Sequence, residues 1–268
     1  THDQSSAASD VYKRQPIGKD INRIKYFFDR GIRYMTLTHA ADNQVCDSSY
    51  DSRNTWNGLS DFGKKVVREM NKIGMMIDVS HCTDKTFYDI LKITNKPLVA
   101  THSSPRKFTP NFERNMSDNM IKDLANNNGL IMLNFGSGFI SEQSNKSLGD
   151  INSKVEKYKI QNNLEDSDKK LLKYKDDLIN SVKPFASIND FIDTIDYVKE
   201  LVGIDHIGLG SDFEGLGNTL PYDLKDASTY PNILYNLLER KYSEIEIKKI
   251  CSDNLFRVWN ANLQNRQI

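Results

Sequence analysis

Histidine is scarce in this sequence, five residues in 268, and cysteine is scarcer still at three. Cys46, Cys82 and Cys251 are scattered and odd in number, which argues against a disulfide framework and for reduced thiols. Cys82 stands beside His81 but lacks the paired spacing of a structural zinc site, so it is expected to be a buried thiol. There is no excess of charge. The 36 basic residues meet 36 acidic ones, which removes the electrostatic footprint of a protein that binds nucleic acid or an anionic membrane. No apolar run approaches the ~20 residues of a bilayer span, and no signal-peptide pattern opens the chain. These absences predict a cytoplasmic globular protein without nucleic-acid or membrane partners. Self-association into a homo-oligomer is left open. Nucleophile elbow and P-loop are absent too. The glycines of "GLGSDFEGLG" do not open a helix after a first strand, and no acidic ribose partner follows them, so nucleotide binding falls away.

What is present is a pattern of apolar runs that end in polar residues. "IRYMTLTH" ends at His39, "GMMIDVSH" at His81, and "PLVATHSS" carries His102. "LIMLNFG" delivers Asn134 and "HIGLGSDF" delivers Asp212. Each run reads as a buried strand. Helical patterns separate them, including "DINRIKYFFDRG", stopped by Gly31, and "DFGKKVVREMNKIG", capped by Ser60. Thr83 and Ser117 open two further helices. "SINDFIDTIDYVKELVG", "TYPNILYNLLERK" and "SEIEIKKICSDNLFRVW" supply the last three, with Ser243 and Glu246 spaced as a capping box.

Alternating strands and helices with apolar strands imply an α/β fold with a parallel sheet. Periodicity alone does not separate an open sheet from a closed barrel. Polar residues at the C-terminal ends of successive strands favour the (β/α)8 TIM-type barrel, whose active-site face is that rim. Residues 141–184 interrupt the rhythm with a polar, partly helical insertion, read as a lid or excursion. Residues 1–15 show no apolar period, and "SDVYKRQ" resembles translated adapter read-through. They are expected to be a non-native or disordered leader ahead of a partial barrel at 16–268.

Three strand-end histidines aimed at one rim suit a metal, because neutral imidazole is a good zinc ligand. A carboxylate on a later strand, Asp212, can move protons beside it. The small Gly208, Gly210 and Ser211 before it would let a ligand or metal approach the backbone. Asp212 also reads as a helix cap, and Asp78 as a structural or supporting carboxylate. His206 begins its strand at the opposite end and reads as structural; His2 lies in the leader.

"GIRYMTLTHA", "GLSDFGKKVVREMNKIGMMIDVSH", "VATHSSPR", "ERNMSD", "NF", "GIDHIGLGSDFEG" and "DNLFRVW" occur in this order. Together they resemble the membrane (renal) dipeptidase family of zinc metallopeptidases, over about residues 17–260. The resemblance implies a (β/α)8 barrel and a dinuclear zinc site whose hydroxide attacks a dipeptide bond. It implies His81 and His102 as ligands of one zinc ion, at most a partial site. It gives His39 the role of polarising the scissile carbonyl, Arg114 that of holding the substrate's free carboxylate, and Asp212 a place near the attacking water and departing amine. The family's remaining ligands, a His-x-Asp pair and a bridging Glu, lie upstream of "RYMTLTH". The first barrel strands and those ligands are therefore expected to be missing, leaving an inactive fragment. Gly136 stands where many relatives carry an aromatic, and Glu214 where an Asp is usual. Two other readings stay open: a non-catalytic barrel that binds a peptide or partner, and another metal-dependent amide or ester hydrolase.

Overall fold

Five short strands carry the fold: β1 (Tyr34–Thr36), β2 (Met76–Asp78), β3 (Val99–Ser103), β4 (Leu130–Asn134) and β5 (Ile207–Gly210). The computed structural model describes residues 17–264, so the expected leader at 1–15 lies outside the described residues. All pairings are parallel and follow chain order, β1-β2-β3-β4-β5. Helices cross over between them: α2 (Asp61–Ile73), α3 (Asp84–Leu91), α4 (Asp118–Asn126) and α8 (Ile188–Val202), while α1 (Asn22–Asp29) precedes β1. A doubly wound sheet would reverse its strand order at a switch point, and this one never reverses. The sheet is also rolled. A Cβ built on Gly210 of β5 would lie 2.2 Å from the Thr101 carbonyl oxygen on β3. Strands two apart in a flat sheet are separated by about 9.6 Å, so β3 and β5 face each other across a curved interior. This is the winding of the (β/α)8 barrel class.

Local sequence explains the helices. Ser60, Thr83 and Ser117 each accept the N–H three residues on, as N-caps. Ser187 with Asp190 and Ser243 with Glu246 close reciprocal capping boxes. Each such cap is worth about 1 kcal/mol. Gly74 ends α2 at φ 82°, a conformation that glycine adopts without a Cβ penalty. The inward stripes, Val66, Val67 and Met70 on α2 and Phe191, Ile192, Ile195 and Val198 on α8, are buried against the sheet.

The two ends of the sheet differ. At the N-terminal end, α12 (Asn254–Leu263) forms a floor. Asn254 donates to the Ile204 and Ile207 carbonyls, both at 2.8 Å, and Asn262 to that of Pro97 at 3.0 Å. Met76, Val99 and Leu130, the first residues of β2, β3 and β4, pack there with Val258 in a separate apolar cluster. His206 sits at this end with Nδ1 2.9 Å from the Gly129 carbonyl oxygen, in the structural place its sequence position suggested. The closing helix expected over 243–259 is instead α11 (Glu244–Lys248), a π turn (Lys249–Asp253) and α12. The extra residue of a π turn leaves no mark on a hydrophobic period.

Residues 141–184 form a helical hairpin, α6 (Glu142–Asn162) and α7 (Lys169–Val182), following the single turn α5 (Ser137–Ile140). Tyr158 and Tyr174 stack across it at 4.1 Å between ring centroids. Asn163 ends α6 in the left-handed region. With the floor sealed by α12, the opposite rim is where polar residues gather.

Candidate functional site

Only His102 and Asn134 of the rim residues lie within strands; the sequence runs overstate the others. His81 is three residues past β2. There a turn, the Val79 carbonyl accepting from the Cys82 N–H at 3.2 Å, places it at φ 69°. A non-glycine residue pays about 1–2 kcal/mol in that region, and the Ser49 N–H bound to the His81 carbonyl at 2.8 Å helps hold it. Ser49 belongs to the long loop 40–59, which two carboxylates organise. Asp42 accepts from the N–H groups of Ser48 and Thr55, and Asp47 from those of Trp56 and Gly58. The loop is thereby laid over the end of β2, where Ser48 bridges to Cys82. Cys82 is a buried thiol, as expected, and Cys46 is buried as well.

The histidines converge. Nε2 of His81 lies 2.9 Å from Nε2 of His102, and the His39 ring centroid is 4.5 Å from that of His81. The ring of His102 is oriented from below by Asp78, which is fully buried. Asp78 Oδ1 accepts from the N–H groups of Ser80 (2.9 Å) and Thr101 (3.0 Å). Its Oδ2 accepts from the hydroxyls of Thr36 and Thr101, the latter at 2.6 Å. Thr101 has one hydroxyl proton and gives it to the carboxylate. Its oxygen, 2.7 Å from His102 Nδ1, must then accept from that nitrogen. His102 therefore carries its proton on Nδ1 and presents a lone pair at Nε2. Thr36 and Thr101 carry no sequence signal that separates them from ordinary strand threonines.

Arg114 lies beside this pair and is 3 % exposed. Its Nη1 donates to Ser103 Oγ (2.8 Å) and its Nη2 to the His102 carbonyl (2.7 Å), while Nε has no partner among the described residues. Among the described residues no carboxylate is ion-paired with it. Taking a cation out of water costs several kcal/mol unless it is paired, so a buried guanidinium without a counter-ion is suited to receiving an anion. Burial lowers its pKa, against the pull of Tyr50 and Asp212. Burial, reinforced by the Arg114 charge, also drives the pKa of His81 and of His102 down, keeping both imidazoles neutral.

Asp212 follows β5 at φ 54° and accepts from Asn134 Nδ2 at 3.0 Å. Burial raises its pKa, with the Asn134 bond and the Arg114 charge opposing. It occupies the N-cap position of α9 (Phe213–Leu216) without making a side-chain cap. The glycines nearby serve protein packing rather than ligand approach. Gly210 abuts the Thr101 carbonyl, a Cβ on Gly208 would meet Met132, and one on Gly215 would fall 2.2 Å from Asp212 Oδ1. At Gly136 a Cβ would meet the side-chain ends of Leu216 and Asn134 at 2.9–3.0 Å, so a larger residue there would have to displace them.

Two zinc-bound nitrogens at about 2.0–2.1 Å stand roughly 2.9–3.4 Å apart for angles between 90° and tetrahedral. The His81–His102 spacing fits two ligands of one ion. His81 Nδ1 is buried without a partner among the described residues, so as a metal ligand it would lack the hydrogen-bond support that His102 has. Among the described residues no group of three or more His, Cys, Asp or Glu is placed to hold an ion. The five residues singled out from the sequence, His39, His81, His102, Arg114 and Asp212, do share one rim. Tyr50 was not singled out; its ring centroid lies 5.8 Å from that of His81.

Dipeptidase tcpJ of Claviceps purpurea is 31% identical over 242 residues, 90% of this chain and 47% of that protein. An uncharacterized dipeptidase of Schizosaccharomyces pombe is also 31% identical, over 89% of this chain and 48% of its own length. The chain thus spans about half the length of the curated relatives it matches. The crystal structure of the probable dipeptidase PvdM from Pseudomonas aeruginosa superposes with a TM-score of 0.78 at 26% identity, covering 92% of this chain and 67% of that one. A Rhodobacter sphaeroides metallopeptidase, solved with a phosphinate mimic of L-Ala-D-Ala, shares the fold with a TM-score of 0.70 at 22% identity, over 91% of this chain and 60% of that one. The family model for membrane dipeptidase (peptidase family M19) matches residues 7–267, and this chain belongs to that family.

Proposed function

We propose that this chain carries the substrate-holding part of a zinc-dependent dipeptidase. The observation behind the proposal is the pair of neutral imidazoles with Nε2 atoms 2.9 Å apart, set beside a buried arginine that has no counter-ion among the described residues. In this reading His81 and His102 would hold one zinc ion, whose contribution when bound would be Lewis-acid activation of water. Arg114 takes the free carboxylate of the dipeptide, for which a planar guanidinium fork is suited. His39 polarises the scissile carbonyl and steadies the oxyanion. Asp212, its pKa raised by burial, receives the proton of the attacking water and passes it to the departing amine. The names of the two curated relatives, both dipeptidases, support the substrate class.

Two imidazoles are too few donors for a working zinc centre, and among the described residues β1 and β5 pair on one side only. An open strand edge is a template for association. We therefore expect residues 1–268 alone to hydrolyse no dipeptide with added zinc and to elute as oligomer or aggregate, whereas a full-length form hydrolyses dipeptides. Size-exclusion chromatography with a dipeptide hydrolysis assay on both forms tests this. A monomeric, active 268-residue chain would refute the assigned incompleteness, and an inactive full-length form would refute the dipeptidase reading.

A further inference from the structure

One wall of the rim is aromatic and has no part in the chemistry above. Tyr50 is 48 % exposed. Its ring leans on His81 on one side and on Phe112 on the other, with a 6.2 Å centroid spacing to Phe112. Phe112 continues edge-on to Phe139 at 5.5 Å, and the Arg114 guanidinium carbon lies 5.4 Å from the Phe139 centroid. The wall therefore runs from the imidazole pair to the arginine.

A dipeptide held at these two ends has its scissile carbonyl near the histidines and its free carboxylate on Arg114. The α-carbon between those points belongs to the C-terminal residue, and the aromatic wall spans the same interval from His81 to Arg114. We propose that Tyr50, together with Phe112, forms the subsite for the C-terminal side chain and selects dipeptides whose C-terminal residue is large and apolar. The proposal rests on the dipeptidase reading for its orientation. Tyr50 is suited to the task because a rigid amphipathic ring offers large contact area at low entropic cost.

The test compares the wild type, Tyr50→Ala and Tyr50→Phe in the full-length protein. The kcat/KM ratio of Gly-Phe over Gly-Gly reads the subsite, with Phe-Gly over Gly-Gly as the control for the N-terminal side chain. Losing a packed ring is expected to lower the first ratio about tenfold. Tyr50→Phe keeps that ratio within a factor of about two, and the control ratio is unmoved in both variants. A fall in both ratios, or in neither, overturns the proposal. Calorimetric binding of L-phenylalanine and of glycine needs no chemistry and separates the two layers of inference. If no dipeptide is cleaved yet the preference for L-phenylalanine disappears in Tyr50→Ala, the dipeptidase reading fails and the wall stands. If the preference is unchanged in Tyr50→Ala, the wall falls whatever the activity.

Discussion

Replacing Asp78 by asparagine alters the hydrogen-bonding sense of one atom beneath the site and should change which nitrogen His102 offers to a metal. The carboxylate accepts from two backbone N–H groups and two hydroxyls. In Asp78→Asn the amide oxygen still serves the N–H groups of Ser80 and Thr101. The amide nitrogen now donates where Thr36 and Thr101 had donated, so both hydroxyls must turn. Thr101 then points its proton at His102 Nδ1 and forces the proton of the ring onto Nε2, the atom facing His81. To bind a metal there, the variant must break that new bond and leave a buried group unpaired, at about 1–3 kcal/mol. This translates to a roughly 10–100-fold loss of zinc affinity, the usual range for losing a supporting partner. Folding stability should fall by a similar amount, about 1–3 kcal/mol, because the four charge-assisted bonds to Asp78 become neutral ones. The assays are zinc competition against a chelator and long-range 1H–15N NMR of His102. An unchanged tautomer with zinc affinity within twofold of wild type would refute the chain of donors drawn here.

Arg114→Ala in the full-length protein should raise KM for dipeptides about a hundredfold, as expected for loss of a buried charge partner. Amidated dipeptides, which lack the carboxylate, should show little change, and equal losses in a steady-state comparison would make Arg114 structural. Gly210→Ala should destabilise the protein by about 3 kcal/mol, because the added methyl meets immovable backbone. Denaturant unfolding measures this, and a stability unchanged within error would mean that the rolled sheet is drawn too tightly.

The outline of the fold is legible in the sequence because local rules agree with the global one. Ser60, Thr83, Ser117, Ser187 and Ser243 cap helices whose apolar stripes face inward, and each strand is an apolar run between them. Strand ends are less legible. "GMMIDVSH" reads as continuous strand, yet β2 stops at Asp78 and a turn carries His81 back over the rim. Hydrophobic period does not register a turn made of apolar and small residues. Gathering of the five residues at one rim follows from strand polarity, since parallel strands present the same end to the same side. The hydrogen-bond network was hidden for another reason. Thr36, Asp78 and Thr101 come from three strands, and only their pairing in space gives the threonines a role. Gly208 and Gly210 invited a ligand-approach reading, whereas neighbouring Met132 and Thr101 claim their space. The aromatic wall is invisible for a similar reason, because Tyr50, Phe112 and Phe139 lie in separate segments.

Zinc titration of His81→Ala, His102→Ala and His206→Ala beside the wild type tests the shared-ligand claim most directly. His81 and His102 face each other at 2.9 Å, whereas His206 is bound to the Gly129 carbonyl at the far end of the sheet. Loss of either facing imidazole should weaken zinc binding by more than about tenfold, and His206→Ala should leave it unchanged. Equal affinity in all three variants would contradict the account.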